Sequence, residues 1–214
     1  MRLLLPILAL GLFLAAPAQA GPSGREITLY GGYNLGGSID VREEMVTELN
    51  TLSSVSAGLG LTVYSRSTFA LELAWNWRPT QLEGPSEEPG MRRKEITNLN
   101  MHEFHGNFTF FPQRRDQDLT PYFLVGLGFT VIAPEEFGDI KPDTITKFSF
   151  ALGGGVRKYV SNRIGFRGQV RYHPTYISDQ HGGTWCDPYY GCYQTVDTNW
   201  LDEWDFQAGL IVRL

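Results

Sequence analysis

The stretch FSFALGGGVRKYVSNRIGFRGQVRYH, residues 148–173, carries the clearest strand pattern in the chain. From residue 148 to residue 157, apolar or small residues alternate with small or polar ones, which is the two-residue period of a β-strand. A polar turn at residues 161–163 follows. The alternation then resumes, with Phe166, Gly168, Val170 and Tyr172 on one face and Arg167, Gln169, Arg171 and His173 on the other. The stretch predicts a β-hairpin with one apolar face and one cationic face.

The composition of the 214 residues favours strands and turns over helices. Aromatic residues make up 13% of the chain, and it contains 24 Gly and 12 Pro. The formal net charge of −5 is mild, and no run of Lys and Arg is present. These features argue against a nucleic-acid partner.

Residues 1–20 have the pattern of a cleaved signal peptide. Arg2 is followed by the apolar residues 3–16 and by a small-x-small site at Ala18, Gln19 and Ala20. We expect cleavage after Ala20 and one domain over residues 21–214. That domain contains no apolar run of the roughly 20 residues that a membrane helix needs. Two classes remain for an exported chain: a soluble domain, or a β-barrel whose membrane signal lies in alternation.

Eight strands are predicted. The first five lie at residues 27–33, 51–64, 68–78, 95–111 and 121–132. The hairpin within residues 148–173 supplies the sixth and seventh, and the eighth lies at residues 204–214. In the fourth, Leu99 and Met101 share one phase and Phe104 has the other, so we expect a bulge near His102 or Glu103. The connections after the first, third, fifth and seventh strands are long, and the others are shorter. An even strand number with long connections on one side is typical of an outer-membrane barrel.

The second face of these strands favours a barrel over a soluble sandwich, because it is rich in Gly, Ala and Ser. Such residues suit the crowded interior of an eight-stranded barrel, which is only wide enough to be filled by side chains. The charged residues on that face can neutralise one another there. We predict a polar network in the lumen formed by Glu72, Arg157, Arg167, Arg171, Asp205 and Arg213.

Aromatic residues near strand ends predict girdles at the two membrane interfaces. They are Trp75, Trp77, Phe110, Phe111, Tyr122, Tyr172, Trp200 and Trp204.

Three segments carry a resemblance to a known family: PYFLVGLGF at residues 121–129, FSFALGGGVRKYVSNRIGFRGQVRYHPTY at residues 148–176, and the amphipathic C-terminal strand. They resemble the small outer-membrane β-barrels of Gram-negative bacteria, both OmpA/OmpX-like and opacity-protein-like. The resemblance implies an all-β, eight-stranded, antiparallel up-and-down transmembrane β-barrel in the bacterial outer membrane. It also implies a monomer that contacts lipid and lipopolysaccharide and is recognised by the barrel-assembly machinery. Family members usually end in Phe or Trp, whereas this chain ends in Leu214.

Two histidine motifs are candidates for a catalytic or metal site. His173, Pro174 and Thr175 lie where outer-membrane lipid A deacylases, which this chain resembles in size, carry a His-x-Ser motif. Here Thr replaces the nucleophilic Ser, and Tyr176 replaces the Asn that usually follows it.

In the second motif, HEFH, His102 and His105 are predicted to face opposite sides of a strand. These residues are therefore expected to be polar residues near a membrane interface. We expect no catalytic residue, metal or cofactor.

The connection before the last strand contains Cys186 and Cys192, which we expect to form a disulfide in an oxidising compartment. Zinc, with His173 or His181 as further ligands, is the alternative. Trp185, Tyr189 and Tyr190 in the same segment are candidate contacts for an unknown surface ligand, unless the segment folds back on the barrel rim.

The sequence thus predicts a non-enzymatic barrel with a filled lumen and a structural or surface-interaction role. A narrow channel and a lipid A-modifying enzyme are the alternatives.

Overall fold

A computed structural model of the chain describes residues 24–40, 48–65, 68–85, 93–112, 119–135, 143–177, 185–187, 191–193 and 199–214. Eight long strands account for most of them. They are β1 (Arg25–Leu35), β2 (Ser54–Tyr64), β3 (Phe69–Pro85), β4 (Arg93–Phe110), β5 (Thr120–Pro134), β6 (Ile145–Tyr159), β7 (Ile164–Tyr172) and β8 (Trp204–Arg213).

Each long strand pairs antiparallel with the next along the chain, and β8 pairs with β1. The closing pair runs in an unbroken register from Glu26 opposite Arg213 to Leu35 opposite Trp204. Closure leaves no long strand edge unpaired, so the sheet offers no template for another chain. The predicted eight-stranded antiparallel barrel is confirmed.

Short strands are found only at one end of the barrel within the described part of the chain. Ser38–Asp40 pairs with Glu48–Thr51, Thr175–Ile177 pairs with Asn199–Leu201, and Trp185–Asp187 pairs with Gly191–Tyr193. All lie in the long connections after β1 and β7. We call this the long-connection end. The opposite end, called the short-turn end, carries Arg25, Leu214 and the connections after β2, β4 and β6.

The alternation of the sequence places apolar side chains outside and polar ones inside. On β5, for example, Phe123 and Leu127 are 61% and 64% exposed, whereas Thr120 and Thr130 are fully buried. The outer surface is therefore apolar over the length of the barrel, as a lipid-facing surface requires. In the described residues, no helix has the length and apolar character needed to cross a membrane.

Glycines on the inner face make room for large polar side chains. A Cβ atom at Gly155 would lie 2.6 Å from the hydroxyl of Tyr122 and 2.2 Å from the carbonyl oxygen of Gly168. A Cβ atom at Gly126 would lie 2.0 Å from Oδ1 of Asn107. The small residues of the second face thus have the packing role that the sequence suggests.

The predicted bulge near His102 is wrong. β4 pairs with β5 without interruption from Leu99 to Phe110, and its one register shift lies opposite Leu82 and Glu83 of β3. Leu99 and Met101 are buried inside the barrel, in phase with the polar residues of β4. The interior is apolar at that height, so no change of phase is needed.

Aromatic side chains gather on the outer surface near both barrel ends. Trp75, Trp77, Trp200 and Trp204 are exposed towards the long-connection end, and Phe110 towards the short-turn end. Trp75 stacks on His102, with ring centroids 6.1 Å apart. Two girdle assignments are wrong, because Phe111 and Tyr122 are both buried in the interior.

Candidate functional site: the polar interior of the barrel

The carboxylate of Glu72, on β3, lies at the centre of the interior network. It accepts hydrogen bonds from Tyr30 on β1 at 3.0 Å, Thr62 on β2 at 3.2 Å and Asn107 on β4 at 3.0 Å. Arg167 on β7 forms an ion pair with the same carboxylate. Since β3 and β7 are four steps apart around eight strands, this pair spans the barrel interior.

A chain of neutral hydrogen bonds crosses the interior next to this centre. The Tyr122 hydroxyl donates to Oε1 of Gln169 at 2.9 Å, and Nε2 of Gln169 donates to Oε1 of Gln207 at 2.5 Å. Nε2 of Gln207 then donates to Oδ1 of Asn76 at 3.1 Å. The chain links β5, β7, β8 and β3. It adds a second layer of hydrogen-bonded side chains inside the barrel.

Glu26 organises the interior at the short-turn end. Its carboxylate accepts hydrogen bonds from the hydroxyls of Tyr64 and Tyr159. Nε of Arg213 lies 3.1 Å from Oε1, and Nη1 of Arg157 lies 3.6 Å from Oε2. The side chain of Arg213 is one-third exposed, as expected for a residue at the barrel rim.

A small cavity lies between this group and the central network. Arg157, Arg167, Tyr64 and Tyr122 are among its lining residues, and its volume is about 10 Å³. That is about the space that one water molecule needs.

Towards the long-connection end the network becomes more strongly charged. Nη2 of Arg78 on β3 lies 2.6 Å from Oε2 of Glu203, which precedes β8. Arg78 also donates to Oδ1 of Asn34, and Nδ2 of Asn34 donates to Oδ1 of Asp205 at 3.0 Å. Thr51 donates to Oε1 of Glu203 at 3.2 Å. All five side chains are buried.

His173 lies in the middle of this charged group and is fully buried. Its Nε2 is 3.0 Å from Oδ2 of Asp205. Its Nδ1 is 3.6 Å from Oε1 of Glu103 and 3.9 Å from Oε2 of Glu203. Nη2 of Arg171 is 3.6 Å from the other oxygen of Glu103. Three carboxylates, two guanidiniums and one imidazole thus share a small buried volume.

A serine–histidine pair lies beside the charged group. Oγ of Ser149 is 3.0 Å from Nε2 of His105, and Thr130 donates to the same serine oxygen at 3.1 Å. The other ring nitrogen of His105 is 3.5 Å from Nη2 of Arg171. A catalytic triad places a carboxylate at that position to stabilise the imidazolium, and a guanidinium does the opposite. The pair therefore lacks the third member of a triad.

An apolar layer covers the charged group on the side of the long connections. Its side chains are nearly inaccessible to solvent, and together they form one packed cluster. The cluster consists of Leu82, Leu99, Met101, Ile132, Ile177 and Leu201.

The six residues predicted to form the lumen network all point into the interior, and the pair of Glu72 and Arg167 is one of the expected pairings, whereas the other four have partners that were not predicted. Glu72 pairs with Arg167, whereas Asp205 faces His173. Arg157 and Arg213 pair with Glu26, and Arg171 pairs with Glu103. The sequence interpretation did not include the partners Glu26, Arg78 and Glu203. Each lies in phase with the inward-facing residues of the strand that contains or adjoins it. Extending the two-residue alternation beyond the predicted inward residues would therefore have identified all three.

The connection after β7 is described only in part. Cys186 and Cys192 are directly opposite each other in the short antiparallel pair, and Trp185 is opposite Tyr193. Only the backbone of these short strands is described. Tyr189, Tyr190 and the expected signal peptide lie outside the described residues.

A closed antiparallel barrel with an apolar exterior and a polar interior is the architecture of a known protein family. The family model described as outer membrane protein beta-barrel domain matches residues 7–210. The chain belongs to this family. Its location is accordingly the bacterial outer membrane, and the apolar exterior faces lipid. No curated protein sequence matches the chain significantly.

Solved structures of the family share the fold at low sequence identity. The crystal structure of the outer membrane protein OprG from Pseudomonas aeruginosa is 14% identical, with a TM-score of 0.63; the match covers 91% of this chain and 98% of that one. The crystal structure of Neisserial surface protein A is 10% identical, with a TM-score of 0.51, and the match covers 88% and 97% of the two chains. At these identities the likeness concerns the fold alone.

Proposed function

We propose that this outer-membrane barrel is closed to solutes and has a structural or surface-interaction role. The observation that carries the proposal is the ion pair of Glu72 and Arg167, which joins opposite walls of the barrel. The neutral chain from Tyr122 to Asn76 crosses the interior beside it. A permeant ion or sugar would have to break these bonds, each of which is buried and therefore costly to leave unmade.

Uptake of small solutes into proteoliposomes tests this proposal. Vesicles that contain the folded wild-type barrel are expected to admit a pentose no faster than protein-free vesicles. A matched sample with Glu72→Ala and Arg167→Ala removes the central crossing and shows whether the assay detects an opened interior. Rapid uptake through the wild-type barrel would instead favour the narrow channel.

An enzymatic role is not part of the proposal, and the placement of the two histidine motifs supports this. His173 and Thr175 are fully buried inside the barrel, on the side of the wall away from lipid. Ser149 and His105 are also interior, and Arg171 occupies the position of the acid. Mass spectrometry of lipid A from cells with and without the protein tests this directly; a loss or gain of an acyl chain would contradict it.

A surface interaction would be made by the long connections, which are extracellular in the layout typical of these barrels. Trp185, Tyr189 and Tyr190 remain the candidate contacts. Replacing the three with Ala in a surface-display adhesion assay is expected to reduce adhesion. Trp75→Ala, an exposed aromatic residue of β3 on the barrel wall, is the control and should leave adhesion unchanged. Equal adhesion of all variants would contradict a binding role for this segment.

Other partners are also proposed from family membership. They are lipopolysaccharide and the barrel-assembly machinery, with the barrel acting as a monomer. The absence of an unpaired long strand among the described residues is compatible with a monomer.

A further inference from the structure

The buried group around His173 has the geometry of a cation site. Glu103, His173 and Glu203 each offer one ligand atom, and these three atoms lie within 4.8 Å of one another. Nδ1 of His173 lies 3.6 Å from Oε1 of Glu103 and 3.9 Å from Oε2 of Glu203. All three side chains are buried. Imidazole and carboxylate together are ligands that divalent zinc and related cations accept.

Asp205 lies beside Nε2 of the His173 ring, so that the other ring nitrogen, Nδ1, faces Glu103 and Glu203. Its Oδ2 atom lies 3.0 Å from Nε2, and Nδ2 of Asn34 lies 3.1 Å from the same nitrogen. Because Nδ2 of Asn34 also donates to Oδ1 of Asp205 at 3.0 Å, it has an acceptor other than the ring, and the carboxylate oxygen Oδ2 favours a proton on Nε2. Histidines that bind metals usually donate their other ring N–H to a carboxylate in this way. The arrangement leaves the lone pair of Nδ1 directed towards Glu103 and Glu203.

Nδ1 of His173 has no hydrogen-bond partner although it is fully buried, and Oε2 of Glu103 also has none. The nitrogen lies 3.6 and 3.9 Å from the two glutamate oxygens, distances too long for hydrogen bonds from a second proton. Two ligand atoms each about 2.1 Å from one cation lie about 3.4 Å apart in a tetrahedron. The two separations from Nδ1 exceed that value by a few tenths of an ångström, so binding a cation requires only small shifts of these side chains.

We propose that Glu103, His173 and Glu203 bind one divalent transition-metal cation inside the barrel, with Asp205 orienting the imidazole. The nearby formal charges favour a cation, because among the described residues three carboxylates face the two guanidiniums of Arg78 and Arg171. Arg78 already donates to Oε2 of Glu203 at 2.6 Å, so the cation shares this oxygen with a guanidinium. We therefore expect moderate affinity.

The position of the ligands gives the cation a structural consequence. His173 follows β7 and Glu203 precedes β8, so the two residues lie at the two ends of the connection that contains Cys186 and Cys192. Their backbones are already joined by a 3.0 Å hydrogen bond from the nitrogen of His173 to the carbonyl oxygen of Glu203. A cation shared with Glu103 on β4 would fasten the base of this connection to another part of the barrel wall.

Metal titration of the folded full-length barrel tests the proposal. The protein is folded in detergent, stripped with a chelator and titrated with Co²⁺, whose visible absorption reports ligand geometry, and then with Zn²⁺. We expect uptake of one equivalent, displacement of Co²⁺ by Zn²⁺, and a higher unfolding temperature with metal. If the wild-type barrel binds neither Co²⁺ nor Zn²⁺, the proposal is overturned by that result alone.

Isosteric variants localise the site. Glu103→Gln is expected to weaken metal binding at least about tenfold, and Asp205→Asn about 10- to 100-fold. Glu26→Gln is the matched control, because it also removes a buried interior carboxylate but lies at the opposite barrel end. It should leave metal affinity unchanged. Equal loss in Glu26→Gln and Glu103→Gln would show a general effect of interior charge and would also overturn the proposal.

Discussion

Arg167 and Glu72 stand on opposite walls of the barrel, and their side chains meet as an ion pair in its interior. Both are buried, and the same carboxylate also binds three neutral donors from three other strands. The pair therefore joins strands that do not touch through the backbone. Under the proposal of a closed barrel, this pair both stabilises the fold and blocks the interior.

Replacing one member of this pair should lower the free energy of unfolding more than replacing both. Arg167→Met leaves Glu72 charged and without its cation, and we expect a loss of about 3–5 kcal/mol in the free energy of unfolding. Adding Glu72→Gln should restore part of it, because no unpaired buried charge then remains. Urea unfolding in detergent micelles measures both effects. Arg163→Met at an exposed turn is the control, and equal losses at residues 163 and 167 would contradict the account.

Gly155→Ala should destabilise the barrel because its Cβ atom would collide with a backbone oxygen and with the Tyr122 hydroxyl. We expect a loss of about 1–3 kcal/mol, the usual range for overpacking. Gly168→Ala is the matched control on the neighbouring strand, since a Cβ atom there meets nothing within 4 Å. The urea midpoints of the two variants should differ clearly; identical midpoints would show that the inner face is not tightly packed.

A charge on the outer face tests which surface contacts lipid. Leu127 lies in the middle of β5 and is 64% exposed. Leu127→Arg is expected to cost about 2–4 kcal/mol in a bilayer, whereas the same change near an interface costs about 0–1 kcal/mol. Leu119→Arg, just before β5 at the short-turn end, serves as that control. Unfolding from vesicles measures both, and a tolerated Leu127→Arg would mean that this surface does not face lipid.

The disulfide remains a prediction that the backbone register makes easy to test. Cys186 and Cys192 are opposite residues of an antiparallel pair, a spacing that cross-strand disulfides can bridge. Protein from the outer membrane should take up no alkylating reagent until it is reduced, and then two equivalents, as mass spectrometry would show. Labelling of both thiols without reduction would disprove the bond.

The strand pattern predicted most of the fold, because apolar residues occupy every second position over most of each long strand. It failed at Leu99 and Met101, where an apolar layer inside the barrel breaks the rule that inner residues are polar. It also failed at Tyr122 and Phe111, because an aromatic ring can fill the interior as well as a membrane interface.

The candidate site was harder to predict than the fold. Alternation indicates that Arg157 and Glu26 point inwards, but their pairing depends on where β6 and β1 lie around the closed barrel and on their relative heights. Neither the position of a strand around the barrel nor its height can be read from the sequence of that strand alone. The group around His173 further requires both ends of the connection after β7 to place His173 and Glu203 in the interior, just beyond the ends of the regular strands.

Planar-bilayer recording from the purified wild-type barrel tests the central claim, a closed interior, most directly. We predict no steady conductance above that of the bare bilayer, and stable openings once Glu72 and Arg167 are both replaced by Ala. Reproducible single-channel steps from the wild-type protein would contradict the claim.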